Sequence, residues 1–227
     1  MTPIRLRSLA GLALVSTVLL TGCGSVPAFN PGVAARVADE TITVKTVDDV
    51  SEAFCASLEA QPEATAFPLR FLRGYITGTL ALRSAAEQFA DEVGVAPGKR
   101  YAEEAAAAEE SLSSVPEEER EAVLEVRTTD SYVQEVKLAA GRELLDEQGE
   151  DGDLEAAFAA GSDAFVSWLD DQEVRIDPKF SVSIEGGQAA PTNTSISYPL
   201  SAGAVQADAP EPDPEDAAAL PETQRCG

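Results

Sequence analysis

The sequence predicts a mainly α protein, a helical domain of about four to six helices with a small β-sheet that joins an N-terminal hairpin and a C-terminal strand. Two observations support this prediction. Apolar residues recur at three- and four-residue spacing over long stretches between residues 69 and 172, which is typical of amphipathic helices. Short β-prone runs lie before and after this region, at 33–47 and 174–185. We expect one folded domain over residues 33–190, a size that suits a single core.

The N-terminal segment predicts export and a lipid anchor. Arg5 and Arg7 precede an apolar run at 8–20, which is the pattern of an export signal. The run is shorter than the roughly 20 residues that span a bilayer. It ends in a Leu-Thr-Gly-Cys sequence that resembles a bacterial lipobox, which implies removal of residues 1–22 and lipidation of Cys23. We therefore predict a protein anchored by two acyl chains on the extracytoplasmic face of the cell membrane; the alternative is a soluble secreted protein with an incidental cysteine.

A short tether and a tail are predicted to flank the domain. Residues 23–32 are small and contain two prolines, a composition typical of a linker, so the domain is expected close to the membrane. Residues 191–227 form an acidic, low-complexity tail that ends with Cys226. We expect disorder beyond Val205, because the tail has too little apolar surface to pack.

The domain opens with a predicted hairpin and a helix. Two β-prone runs, at 33–37 and 42–47, are separated by Asp39 and Glu40, a composition typical of a turn. Thr46 and Asp49 have the spacing of a capping box, in which a hydroxyl accepts a hydrogen bond from the first turn. This pattern predicts a helix that starts near Thr46 and ends near Leu58.

Three further helices are predicted in the middle of the chain. Residues 69–93 form the clearest, with an apolar stripe at Leu69, Leu72, Ile76, Leu80, Ala86, Phe89, Ala90 and Val93. A weaker helix covers 99–112. Pro116 is suited to the first turn of the next helix, and a break is expected near Thr128 and Thr129. The stripe of that helix consists of Val123, Val126, Val133, Val136, Ala140 and Leu144.

The last predicted helix covers residues 154–172. It is marked by Leu154, Phe158, Phe165, Trp168 and Leu169. Such a stripe is more typical of a core face than of a ligand site, although the second interpretation stays open. After it, Val174 and Ile176 fall on one face of a predicted strand, and Gly186-Gly187 indicates a loose hairpin.

Composition argues against several function classes. The chain has 40 acidic and 16 basic side chains and a formal net charge of −24, so it repels the phosphates of a nucleic acid partner. It has no histidine, which excludes imidazole-based triads and most zinc sites. The acidic segment 149–155 does not match the glycine register of a calcium loop, although weak non-specific calcium binding stays open. We predict a protein that is not an enzyme and has no catalytic residue, cofactor or metal site; an uncharacterised hydrolase is a distant alternative.

Two cysteines remain if Cys23 is lipidated. Cys55 lies in the first predicted helix and Cys226 at the end of the tail. An even number of cysteines in an oxidising compartment predicts a disulfide between them. The alternative is two independent thiols, one buried and one on a loose end.

Two segments resemble SurA-type and PrsA-type extracytoplasmic folding factors. The opening hairpin and helix match at Ala35, Val37, Ile42, Val47 and Asp48, and the strand after the helices matches at Asp177, Pro178, Lys179 and Phe180. Together with the end of the tail, the pattern resembles SurA N-terminal-domain-like lipoproteins. The resemblance implies a fold and chaperone-like binding of extended polypeptides. It implies no isomerase activity, because no segment has the length or histidines of a parvulin domain.

The leading functional hypothesis is a non-catalytic lipoprotein that binds exported or unfolded polypeptides. The alternative is a structural or adaptor lipoprotein that docks one folded envelope partner. The sequence makes no prediction of oligomeric state. Client binding requires exposed apolar side chains, and the stripes are wide enough to expose Phe71 and Tyr75 beside the Leu72 row, and Trp168 beside Phe165. These three aromatic residues are the predicted binding surface.

Overall fold

The computed structural model describes residues 32–60, 65–113, 115–192 and 212–227. Cys23 and the predicted signal segment lie outside these residues. The described chain contains six α-helices: α1 Val44–Glu59, α2 Leu69–Val93, α3 Lys99–Ser111, α4 Glu117–Gln148, α5 Leu154–Asp171 and α6 Pro214–Ala218. Its strands are β1 Val33–Val37, β2 Glu40–Thr43, β3 Phe67–Pro68, β4 Val174–Ile176, β5 Val182–Glu185, β6 Gln188–Pro191 and β7 Arg225–Cys226. The prediction of a mainly α fold is confirmed.

The predicted link between the two ends of the domain is a three-stranded sheet. Its order is β2-β1-β4, and both pairings of β1 are antiparallel. Ala35 of β1 lies opposite Ile176 of β4, so the N-terminal hairpin and the strand that follows α5 share one sheet. Ala34 and Val37 are fully buried, because the sheet packs on α2.

Helix α2 is the centre of the core, and its predicted range of 69–93 is confirmed. One face carries the predicted stripe, and the opposite face is largely buried as well because α1, α4 and the sheet surround the helix. The largest fully buried side chains of the main core are Phe89, Phe165, Ile76, Val37, Val47, Val126 and Val136. A smaller cluster of Ala53, Leu112, Val115 and Val123 packs where α1 and α4 meet the end of α3.

The predicted N-cap of α1, Thr46, is wrong by three residues. The helix begins at Val44, and its N-cap is Thr43, whose hydroxyl oxygen accepts a hydrogen bond from the Thr46 backbone N–H at 3.0 Å. Thr43 also pairs with Val33 in the hairpin. The pairing register therefore ends the strand at Thr43, and the chain enters the helix directly after it rather than at Thr46.

The predicted break in α4 is also wrong, because the helix continues without interruption from Glu117 to Gln148. Thr128 and Thr129 are both buried. Their hydroxyls donate to the carbonyl oxygens of Leu124 and Glu125, each at 2.8 Å. Since these bonds satisfy the hydroxyls within the helix itself, two β-branched residues are tolerated in its interior.

The tail is ordered at its end, so the expectation of disorder is wrong for residues 212–227. Helix α6 places Ala217 in a buried position, and β7 pairs antiparallel with β3, with Cys226 opposite Phe67. Residues 193–211 lie outside the described residues. No helix in the described ranges has the combined length and apolar content needed to cross a membrane.

Candidate binding cleft

A cleft of about 670 Å³ opens between α2, α4 and the β5–β6 hairpin, and we call it the α2–α4 cleft. Side chains of α2, α4 and the hairpin line the cleft. Phe158 of α5 lines it as well. A volume of this size lies in the range of pockets that bind small molecules or a few side chains of a polypeptide.

Two glycines allow the hairpin and the 3-10 turn Pro178–Phe180 before it to pack directly on α2, since Gly74 faces the turn and Gly78 faces the hairpin. A Cβ atom at Gly74 would lie 2.5 Å from the Phe180 carbonyl oxygen, and one at Gly78 would lie 2.7 Å from Cγ2 of Val182. The two glycines are four residues apart and therefore lie on the same face of α2. Their missing side chains set the positions of the 3-10 turn and the hairpin.

The apolar part of the cleft is formed mainly by aromatic rings. Phe71 is half-buried, Tyr75 is 43% exposed, Phe158 is 40% exposed and Phe180 is buried. Burial raises the pKa of the Tyr75 phenol, and the nearby Asp130 carboxylate raises it further, while a hydrogen bond with Thr79 opposes the shift. Tyr75 thus lines the cleft and is also partly exposed to solvent.

The polar part of the cleft includes a buried cation. Lys137 of α4 is 6% exposed, and its ammonium donates a hydrogen bond to the Gly187 carbonyl oxygen at 3.1 Å. The same ammonium lies 4.9 Å from the centre of the Phe165 ring, in cation–π geometry. Burial lowers the pKa of Lys137. Uncharged polar side chains of Thr79, Gln134, Ser181, Gln188 and Thr192 also line the cleft.

A shallower depression of about 400 Å³ continues the cleft along α5. Phe158 and Gln134 line both. Leu154, which is 62% exposed, lies in the depression together with Leu138. The cleft and the depression are therefore adjacent, and their lining includes the exposed apolar side chains of Tyr75, Phe158 and Leu154.

The structure brings together two of the three residues in the predicted binding surface. Phe71 and Tyr75 both line the α2–α4 cleft. Trp168 does not lie there. It is half-buried, its ring centre lies 5.9 Å from that of Phe89, and its indole N–H donates to Glu92 at 2.7 Å. Trp168 therefore packs at the edge of the core. The α5 stripe is a core face at Phe165 and Trp168, whereas Phe158 of the same stripe is exposed and lines the cleft.

Sequence reasoning missed Lys137 and the exposure of Phe158. Lys137 lies four residues after Val133 and three before Ala140, so it falls on the apolar face of α4. A lysine on an apolar face could have been recognised from the sequence as a candidate site residue. Phe158 has no such signal. It is seven residues before Phe165 and shares its helical face, yet Phe165 is fully buried and Phe158 is not.

Cys55 and Cys226 lie together away from the cleft. Their sulfur atoms are 2.19 Å apart and their Cα atoms 5.5 Å apart, within the usual Cα range for a disulfide. The two sulfur atoms and the Glu59 carboxylate all lie within 4.8 Å of one another. Among the described residues, this is the one group of three potential metal ligands that lie so close together. A bonded pair of sulfurs offers no thiolate, so this group is a covalent link between α1 and β7 rather than a metal centre.

The chain matches no protein-family model, and comparisons with curated proteins and with solved structures find no similar protein. The resemblance to SurA-type folding factors therefore stays a prediction from the sequence.

Proposed function

We propose that this protein is a non-catalytic lipoprotein on the extracytoplasmic face of the cell membrane, and that it binds exported polypeptides through the α2–α4 cleft. The observation that carries the proposal is the set of exposed apolar side chains, Tyr75, Phe158 and Leu154, along the cleft and the depression beside it. Unfolded polypeptides expose apolar side chains at intervals, and a surface of this kind can bind several of them.

The chemistry of the surface supports a polypeptide ligand. Aromatic side chains provide a large contact area at a low cost in conformational entropy, and Tyr75 adds a hydroxyl at the rim. The uncharged polar side chains of Gln134, Gln188 and Thr192 supply donors and acceptors that suit peptide groups. The net charge of −24 opposes binding of nucleic acids and favours clients that are neutral or basic.

Replacement of Tyr75 tests the cleft directly. We expect Tyr75→Ala to weaken binding of a reduced and carboxymethylated unfolded protein about fivefold to tenfold, because it removes an exposed ring from the cleft wall. Thermal stability should change little, since the ring is 43% exposed. Affinity is measured by fluorescence anisotropy, and the same variant should suppress aggregation of an unfolded client less well than the wild-type protein.

Val93→Ala is the matched control for Tyr75→Ala. Val93 is 41% exposed at the other end of α2, and 18 residues of helix place it about 27 Å from Tyr75. This control should bind the client as the wild-type protein does. Equal loss of affinity in both variants, or no measurable client binding by the wild-type protein, contradicts the proposed function.

The lipid anchor is tested separately at Cys23. Mass spectrometry of the mature protein should show that residues 1–22 are absent and that Cys23 carries the mass of a lipid. Cys23→Ala should move the protein from the membrane fraction to the soluble extracytoplasmic fraction, since the acyl chains provide most of the membrane affinity. Unchanged membrane retention of this variant would contradict the anchor.

A further inference from the structure

The ammonium of Lys137 lacks a charged partner within the described chain. It is buried in the wall of the α2–α4 cleft and donates to one neutral acceptor, the Gly187 carbonyl oxygen. None of the ion pairs among the described residues includes it. Burial of an ammonium is unfavourable unless it is paired and its N–H groups are hydrogen-bonded. A cation in this state can pair with an anion that enters the cleft.

No carboxylate in the described part of the chain compensates this charge. Burial lowers the pKa of Lys137, and no carboxylate among the described residues opposes the shift. Asp130 also lines the cleft, but its charge acts on the phenol of Tyr75. The ammonium has three donors, and the carbonyl oxygen of Gly187 accepts one of them.

The hairpin turn holds the ammonium in position. Gly187 has a φ of +72°, which favours glycine, and a Cβ atom there would lie 3.2 Å from the Lys137 ammonium and 3.1 Å from the Phe165 ring. The turn therefore packs against the lysine and presents its carbonyl oxygen to it. The Phe165 ring supports the ammonium from another side. Such a fixed donor is organised before any ligand binds.

We propose that Lys137 binds the C-terminal carboxylate of a polypeptide whose last residues are apolar. The carboxylate pairs with the ammonium in the cleft, and the apolar side chains lie against Phe71, Tyr75 and Phe158. A polypeptide is favoured over a fatty acid because amide and hydroxyl side chains line the cleft, and these match peptide groups rather than a hydrocarbon chain. The inference rests on the proposed function and specifies which part of a client enters the cleft.

The test compares two forms of one peptide. A fluorescent peptide that ends in Leu-Phe is prepared with a free carboxylate and with a C-terminal amide, and both are titrated with the full mature protein. We expect the free acid to bind at least about tenfold more tightly, because a charge-assisted hydrogen bond is replaced by a neutral contact in the amide. Equal affinity for both forms overturns the inference.

Two lysine variants test whether Lys137 causes the preference for the free acid over the amide. Lys137→Met should abolish the preference for the free acid and leave the melting temperature unchanged or higher, since an apolar side chain of similar length replaces a buried charge. Lys99→Met, at an exposed position of α3, is the control and should retain the preference. If the Lys137→Met variant still prefers the free acid, the assignment is wrong.

The outcomes separate this inference from the proposed function. Equal binding of acid and amide, with both weakened by Tyr75→Ala, overturns the carboxylate site and supports the client cleft. If neither the peptides nor dodecanoate bind, both the carboxylate site and the client cleft are overturned. If dodecanoate binds through Lys137 and the peptides do not, the anion site is retained for a free apolar carboxylate and the polypeptide assignment is overturned.

Discussion

Replacing Gly161 by alanine is expected to lower the free energy of unfolding by about 3 kcal/mol or more. Gly161 lies where α5 crosses α4, and a Cβ atom there would overlap the Lys137 carbonyl oxygen and lie 2.7 Å from the carbonyl carbon. Gly141 on α4 has the reciprocal position, because its Cβ would overlap the Ala157 carbonyl oxygen and lie 2.7 Å from the Gly161 nitrogen. Both obstacles are backbone atoms, which cannot rotate away, so the helices would have to separate.

The sign of this effect makes it a sharp test of the close helix contact. Helix propensity alone predicts that alanine stabilises a helix interior by about 1 kcal/mol relative to glycine. Urea denaturation followed by circular dichroism measures the difference. Gly152→Ala is the matched control with an expected change below about 1 kcal/mol, since the nearest atom to its Cβ is the flexible end of the Leu145 side chain and the next, Cβ of Ala156, lies 3.4 Å away. Stabilisation by Gly161→Ala would mean that α4 and α5 do not approach as described.

The contact between α4 and α5 also affects the cleft. The atom that Gly161 approaches belongs to Lys137, and Phe158 lies about one turn earlier on α5. A shift of α5 away from α4 would therefore move both the buried ammonium and the Phe158 ring that lines the cleft. Gly161→Ala should for this reason weaken client binding as well as stability.

Removal of the link between Cys55 and Cys226 is expected to lower the free energy of unfolding by about 2–5 kcal/mol. The two residues are 171 positions apart, and the chain-entropy model for a loop of this length gives about 5 kcal/mol, an upper figure because measured values are often smaller. The segment 212–227 buries only Ala217 and Cys226 among its own residues, so few other contacts hold it on the domain. We expect limited proteolysis to remove this segment once the bond is absent.

The experiment uses residues 24–227, so that Cys23 is absent, and compares unfolding in urea with and without dithiothreitol. A Cys55→Ser/Cys226→Ser double variant should match the reduced wild-type protein and should not respond to dithiothreitol. If reduction leaves the stability of the wild-type protein unchanged, the two sulfurs are not bonded in solution.

Much of the helical fold could be predicted from the sequence. Helix α2 has the predicted range, and α3 and α5 end one residue before the predicted positions. Pro116 was predicted in the first turn of α4 and is instead its N-cap, one residue before the helix begins at Glu117. The errors at the two ends of the domain occur where pairing with another strand determines the local structure. Pairing with Val33 ends β2 at Thr43, and the contact of β7 with β3 orders a segment whose composition indicates disorder.

The candidate site was predicted only in part. The width of the α2 stripe indicated that Phe71 and Tyr75 would extend beyond the buried seam, and both line the cleft. The same argument applied to Trp168 failed, because α5 turns that residue toward Phe89. The cleft itself depends on Gly74, which admits the turn at Phe180, and on Gly78, which admits the hairpin. Nothing in the spacing of α2 indicates which element will occupy that face.

The helical segments and the residues that could form a core follow from the sequence. Both features depend on residues three or four positions apart, and the local backbone sets the geometry between such residues. The tertiary structure alone decided that Phe165 is buried and Phe158 exposed. It also decided that Lys137 is enclosed by a hairpin turn about 50 residues away in sequence. Burial at such positions depends on which element packs against them, and that is a property of long-range contacts rather than of periodicity.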